Sequence, residues 1–339
     1  MSFDGLLGKR VKHDITNAVG NVLLPAGFVI EQEHIKLLEQ HRVNASEVIV
    51  MMGDYRSEVH HAQLTLISDA ANYSKDLFNR LGGTKKMPLL EIKNELIPII
   101  QEASEYPDVF QLFEAVSAKD EYTHQHNIGV GVLSTLLGKW MGLGQTEITL
   151  LTLAATLHDV GKVRISSEIL LKPGKLTDEE FAEMRRHTLY GYEILKNTVG
   201  LSPRVAQVAL QHHERSDGRG YPLRLKEEQI DPLSKIVAVA DVFHAMSSKR
   251  PYHEALPFHE VIEQMRRGAF GELDPHVSAT FLNKMIQHLV GRRVKLTDGQ
   301  WGEVVFINPH DDLHPLVKIS ESFIDLSEER QLHIQEVIV

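Results

Sequence analysis

The sequence predicts a mainly α protein, a helical core flanked by a small N-terminal α+β module and a small C-terminal β domain. Three observations carry this reading. From about 111 to 290 apolar residues recur at helical spacing, with Gly and Pro confined to breaks such as KPGKLTDEE and SDGRGYP. After Gly291 the texture changes to short β-rich runs, RRVKLTDGQWGEVVFINP, HPLVKI and LHIQEVIV, with Asp-Gly and Asn-Pro turn signals. Before residue 56, AVGNVLLPAGFVI is strand-like and punctuated by Gly20, Pro25 and Gly27, EQEHIKLLEQH has helical spacing, and SEVIVMM reads as a strand.

The expected divisions are 1–55 for the N-terminal module, 56–110 for a polar helical connector interrupted by LGGTKKMP, 111–290 for the main domain and 291–339 for the β domain. Trp301, Phe306 and Phe323 are expected to form the core of that last domain.

Composition narrows the function. With 339 residues, 42% of them hydrophobic, the chain can bury sizeable cores. A formal net charge of −10 supplies no basic field for a nucleic-acid polymer. The N-terminus lacks the apolar segment of a signal peptide, and ITLLTLAATLHDV is shorter than the roughly 18 residues a membrane span needs. A cytoplasmic protein without membrane insertion is expected. There is no cysteine, so any metal must be held by imidazole and carboxylate, and the 19 histidines become the feature to explain.

Several polar residues fall where the pattern is apolar. In HNIGVGVLSTLLGKW, His126 shares a stripe with Val130, Leu133, Leu137 and Trp140. In EITLLTLAATLHDVGK, His158 follows Ala154 by one turn and Leu151 by two. Asp159 beside it cannot be buried as a lone carboxylate without a cost of several kcal/mol, by the usual order of magnitude, so it needs a cation or hydrogen bonds. If the helix continues, Lys162 reaches the same face, and a helical salt bridge also accounts for that pair taken alone.

His187, in MRRHTLYGYEIL, reads by itself as a surface residue. His212 and His213 close an apolar helix before a loop dense in Gly, Asp and Pro, which is a metal signal. Asp241, in SKIVAVADVFHAM, has Val237 and Ala245 one turn away; a cap or an arginine pair is the alternative use of its charge. Together these residues suffice for two metals and a bridging carboxylate, and an oxygen and nitrogen donor set suits iron or manganese.

In order along the chain, HDVGK, ILLKPGKLTDEEFAEMRRH, HHERSDGRGYP, ADVFHAM and RPYHEAL resemble the HD-GYP domain, a branch of the HD-superfamily metallohydrolases that opens the bacterial second messenger cyclic di-GMP. The likeness runs from about Tyr122 to Pro275 and implies an HD-type helical bundle as the core. It implies metal ligation by His126, His158, Asp159, His187, His212, His213 and Asp241, and catalytic roles for Asp159 and Lys162. Lys162, Gly220, Tyr221, Pro222, Arg250 and Tyr252 match positions on the substrate side. The implied cofactors are two divalent ions, iron or manganese, with nickel, cobalt or magnesium as other occupants. Tyr122 stands where some members carry a third-metal glutamate, with Glu121 adjacent, which implies two ions and not three.

The implied reaction is hydrolysis of cyclic di-GMP to linear pGpG, and onward to GMP, by a hydroxide held between the two metals. The sequence departs from the common pattern at His244, where many members have a second aspartate, at His253, which replaces a basic residue, and before Leu225, where a glycine is usual. Two other readings stay open: a cyclic-dinucleotide sensor without turnover, and a phosphodiesterase for another cyclic dinucleotide. The N-terminal module is a candidate for dimerisation or sensing, which leaves a homodimer and signalling-protein partners open.

Overall fold

The computed structural model describes residues 3–7, 9, 11–16, 22–24, 28, 30, 32–45, 48–50, 55–84, 87–105, 108–110, 112, 122–248, 256–268, 271–308 and 310–338. The chain divides into two compact units, one of Met1–Ala62 with Pro107–Val109 and one of Gln63–Tyr106 with Phe110–Val339.

In the first unit, β1 (Ile15–Thr16) and β2 (Val22–Leu24) pair antiparallel and α1 (Gln32–Gln40) follows. Leu24, Ile30, Ile35 and Leu38 meet Val11 and Val48 in one small core. Among the described residues of SEVIVMM, Val50 forms a bridge with Val11, and the Lys12 amide donates to the Ile49 carbonyl at 2.8 Å.

In the second unit the end of α2 (Tyr55–Thr84) leads to α3 (Leu89–Glu91), a π-helical turn (Ile92–Leu96) and α4 (Ile97–Ala103). The centre of the unit is α5 (Tyr122–Trp140), in which every residue from 126 to 138 is buried. A helix apolar on all sides belongs inside a bundle. Here α4, α6 (Gln145–Leu157), α11 (Pro232–Ser247) and α13 (Pro275–Gln287) surround it.

The outer helices are α7 (Ser167–Leu170), α8 (Asp178–Arg185), α9 (His187–Lys196), α10 (Pro203–Gln211) and α12 (Phe258–Arg266). Their starts are written locally. Thr177 and Glu180 form a capping box on α8, and Ser202, Asp231 and Asp274 cap α10, α11 and α13, each followed by proline at the first turn.

The C-terminal strands β3 (Arg293–Leu296), β4 (Trp301–Asn308), β5 (Asp311–Ile319), β6 (Ser322–Asp325) and β7 (Ile334–Val337) form one antiparallel sheet in the order β6-β5-β4-β3-β7. Its buried face holds Val294, Leu296, Val304, Val317 and Ile334. Trp301, Phe306 and Phe323 are not its core: they are 45%, 54% and 60% exposed. An irregularity between Val304 and Phe306 shifts the register, so Phe306 faces away from Val304, and Phe323 pairs with Lys318 on the outer face beside buried Val317. The sheet is tied to α12 by Arg266 to Asp312 at 2.7 Å and by His259 Nδ1–H donating to the Ile334 carbonyl at 2.8 Å.

Candidate metal centre

Helix α6 ends at Leu157 and does not continue to Lys162. Asp159 leaves helical geometry at φ −98° and ψ 9°, and a 3₁₀ turn (Val160–Arg164) follows. The chain turns here against α9. A Cβ on Gly161 would lie 1.9 Å from the His187 carbonyl oxygen and 2.4 Å from the Gly191 nitrogen, so only glycine permits the approach. Lys162 still reaches Asp159, with Nζ 2.5 Å from Oδ2.

This turn, the start of α9, the end of α10 and the middle of α11 bring the candidate ligands together. His126, His158 and Asp159 present donor atoms within 4.8 Å of one another, and so do His187, His212 and His213. Asp159 lies between the two groups. Its Oδ2 is 3.4 Å from His158 Nε2 and 3.7 Å from His126 Nε2, while its Oδ1 is 3.2 Å from His187 Nε2 and 3.8 Å from His212 Nε2. Asp241 Oδ1 is 3.1 Å from His126 Nε2, and its Oδ2 is 4.0 Å from His213 Nδ1. His187, which reads as a surface residue from its own segment, is 1% exposed.

The far nitrogens of three rings are already engaged. Nδ1–H of His158 donates to the Ala155 carbonyl at 2.6 Å, that of His187 to Met184 at 2.7 Å, and that of His212 to Ala209 at 3.0 Å. Each bond fixes the tautomer that leaves an Nε2 lone pair facing inward, the arrangement usual for metal-binding histidines.

For His126, His187, His212 and His213 the electrostatics favour the neutral ring. Burial pushes His187 down to about 4, and burial with the neighbouring imidazoles holds His212 and His213 well below the usual histidine range. Burial also lowers His126, although Asp241 and Asp159 act against it. His158 goes the other way: burial opposes its charge, but Asp159 outweighs burial. For Asp159 burial opposes ionisation, yet Lys162 and His158 hold the carboxyl well below its usual range, and His126 and His213 do the same for Asp241. Neutral imidazoles and ionised carboxylates are the states a cation binds.

His158 Nε2 and Asp159 Oδ1 are buried without a hydrogen-bond partner. Buried polar atoms are ordinarily satisfied, and two orphans pointing into a ring of nitrogen and oxygen donors fit divalent cations.

On the rim, the loop of Gly220, Tyr221 and Pro222 folds back over His213. The Tyr221 amide donates to the His213 carbonyl at 3.2 Å, and the two rings stack at 4.5 Å and 24°. The Tyr221–Pro222 peptide is cis. Burial, Asp241 and Asp159 raise the phenol above its ordinary value. Of the remaining sequence-predicted positions, Arg250, Tyr252, His253 and Glu121 lie outside the described residues, as does the side chain of Tyr122.

Two further groups serve this site. Glu214, 2% exposed, accepts from the Leu223 amide at 2.7 Å and the Leu225 amide at 2.9 Å, and so pins the loop. Its only sequence signal is an acid directly after two histidines at the end of an apolar helix. His244, noted as a departure, is buried with Nδ1 3.1 Å from His126 Nδ1.

Residues 111–277, about half of the chain, match the family model of the HD domain. A cyclic di-GMP phosphodiesterase of Pseudomonas aeruginosa is 37% identical over 214 residues, which is 63% of this chain and 51% of that protein. A cyclic di-GMP phosphodiesterase of Thermotoga maritima is 41% identical over 204 residues, 58% of this chain and 54% of that one. A 3'3'-cGAMP-specific phosphodiesterase of Vibrio cholerae is 37% identical over 181 residues, 53% of this chain and 34% of that one. The chain thus spans about half the length of the first two relatives and about a third of the third. Among the described residues, no helix is long and apolar enough to cross a membrane.

Proposed function

We propose that this chain is a cytoplasmic, metal-dependent phosphodiesterase that hydrolyses cyclic di-GMP to linear pGpG, and onward to GMP. The observation that carries the reading is the position of Asp159, whose two carboxylate oxygens face different imidazole groups. In this reading His126, His158 and Asp241 would hold one divalent ion and His187, His212 and His213 another, with Asp159 available to both. Iron or manganese suits the donor set. Bound there, such ions supply the Lewis acidity and water activation that phosphodiester hydrolysis requires.

The chain's own groups do the rest. The Lys162 ammonium, 2.5 Å from Asp159 in this structure, is within reach of the non-bridging oxygens of a phosphate seated over that carboxylate and stabilises charge developing on them. Tyr221, stacked on His213, shapes the substrate side of the site together with Gly220 and Pro222. Arg250 and Tyr252 are the proposed nucleotide contacts.

The test is to incubate iron- and manganese-loaded protein with cyclic di-GMP and follow products by chromatography. Linear dinucleotide or GMP should form only with metal, and not with a His158→Ala/Asp159→Ala variant. Binding without turnover at full metal loading would make the chain a sensor. The likeness to a cGAMP-specific enzyme favours one second reading, hydrolysis of 3'3'-cGAMP, and the same assay run with that nucleotide ranks the two.

A further inference from the structure

We infer that Arg185 is a substrate-binding residue that holds the phosphodiester not being cut. The inference rests on the proposed function above, because it concerns the second charge of a cyclic dinucleotide.

Arg185 ends α8, two residues before His187. Its guanidinium lies over two aromatic rings, 5.1 Å from the centroid of Phe181 and 5.6 Å from that of Tyr221. Tyr221 in turn stacks on His213 and lies 6.5 Å, ring to ring, from His187. The cation therefore stands one aromatic ring away from the candidate metal centre.

Neighbouring cations are committed elsewhere. Arg186 pairs with Glu183 at 2.9 Å and Arg164 with Glu193 at 2.6 Å, while Lys162 faces Asp159 and the phosphate to be cut. Among the described residues, Arg185 has no carboxylate within ion-pair distance. A guanidinium lying on an aromatic face keeps its in-plane N–H fork free, and that fork matches two oxygens of a phosphate.

The substrate's chemistry requires such a group. A cyclic dinucleotide carries two phosphodiester charges, and the metal centre meets one of them. The other enters a protein of net charge −10, which repels an anion that meets no cation. Arg185 is placed to pair with it.

The experiment compares wild type, R185A, R185Q and R185K, metal-loaded and matched for metal content, on cyclic di-GMP and on bis(p-nitrophenyl) phosphate, which has a single phosphodiester. The expected result is a fall of about tenfold in selectivity for the dinucleotide, taken as the ratio of the two kcat/KM values and expressed mainly in KM. R185K should recover part of it, keeping the charge without the fork. An unchanged ratio, whether both substrates suffer equally or neither suffers, overturns the inference while the proposed function stands. Wild-type protein that cleaves bis(p-nitrophenyl) phosphate but neither binds nor cleaves the dinucleotide overturns both.

Discussion

The Nδ1 atoms of His126 and His244 lie 3.1 Å apart in the interior of the helical unit, a distance at which one must donate to the other. With a cation held at its Nε2, between Asp159 and Asp241, His126 would carry its proton on Nδ1. His244 then accepts, as does a ligating histidine's usual outer partner, a carboxylate or carbonyl. The space is tight: a Cβ on Gly129 would come within 2.1 Å of His244 Nε2. His244→Leu should weaken metal binding by about 10- to 100-fold, the range typical of lost outer partners. His244→Asp should restore it, since a carboxylate accepts the same bond. Metal stoichiometry under chelator competition measures both.

Glu214 links the end of α10 to the loop over the site through two backbone amides. Glu214→Ala leaves both donors without their acceptor. The expected cost is on the order of 2 kcal/mol of unfolding free energy. Because Tyr221 rides on the same loop, KM for the dinucleotide should rise as well. Glu214→Gln keeps one acceptor oxygen and should lose less of both. Urea midpoints and steady-state kinetics report the two effects.

Arg224 sits in that loop at φ 56°, a left-handed conformation that side chains avoid, at the position before Leu225 where the family usually has glycine. Left-handed geometry costs a non-glycine residue about 1–2 kcal/mol, offset in part by the lower chain entropy of the unfolded arginine. Arg224→Gly should stabilise the protein by about 0.5–1 kcal/mol, read as a higher thermal midpoint. A lower midpoint would mean that the arginine side chain contributes more than its backbone costs.

These residues also show what sequence can and cannot reveal. His126, His158, Asp159 and Asp241 stand out because each is a polar residue on an otherwise apolar helical pattern, a local signal that burial amplifies. His187 lacks that signal, since its burial depends on Gly161, 26 positions earlier, pressing against the start of α9. Local spacing likewise does not mark the end of α6 at Leu157, after which the chain turns and Gly161 packs against the start of α9. In the sheet, alternation predicts faces only while the register holds, and the irregularity before Phe306 exchanges inside for outside. Arg185 carries no signal of its own, because its position over Tyr221 joins segments that are 36 residues apart.

Asp274 supplies a prediction on acid stability. It caps α13, accepting from the Val277 amide at 3.0 Å, and pairs with Lys235 Nζ at 3.0 Å. Burial opposes its charge, but the amide and the ammonium outweigh burial and hold the carboxyl below its usual 3.8. A folded-state value below the unfolded one means that the unfolded chain takes up the proton first. The stabilisation is therefore complete above the ordinary carboxylate range and is lost as pH falls through the lowered value. After solvent screening its size is about 0.5–1 kcal/mol. Asp274→Asn keeps an acceptor for Val277 and removes the charge, so wild type should exceed the variant by that amount near pH 6. The gap should close as pH falls below the lowered value, where the aspartate is protonated in both states. Denaturant unfolding of the two metal-free proteins across this range measures the gap, and a difference independent of pH would show that the carboxylate's charge contributes nothing to the cap.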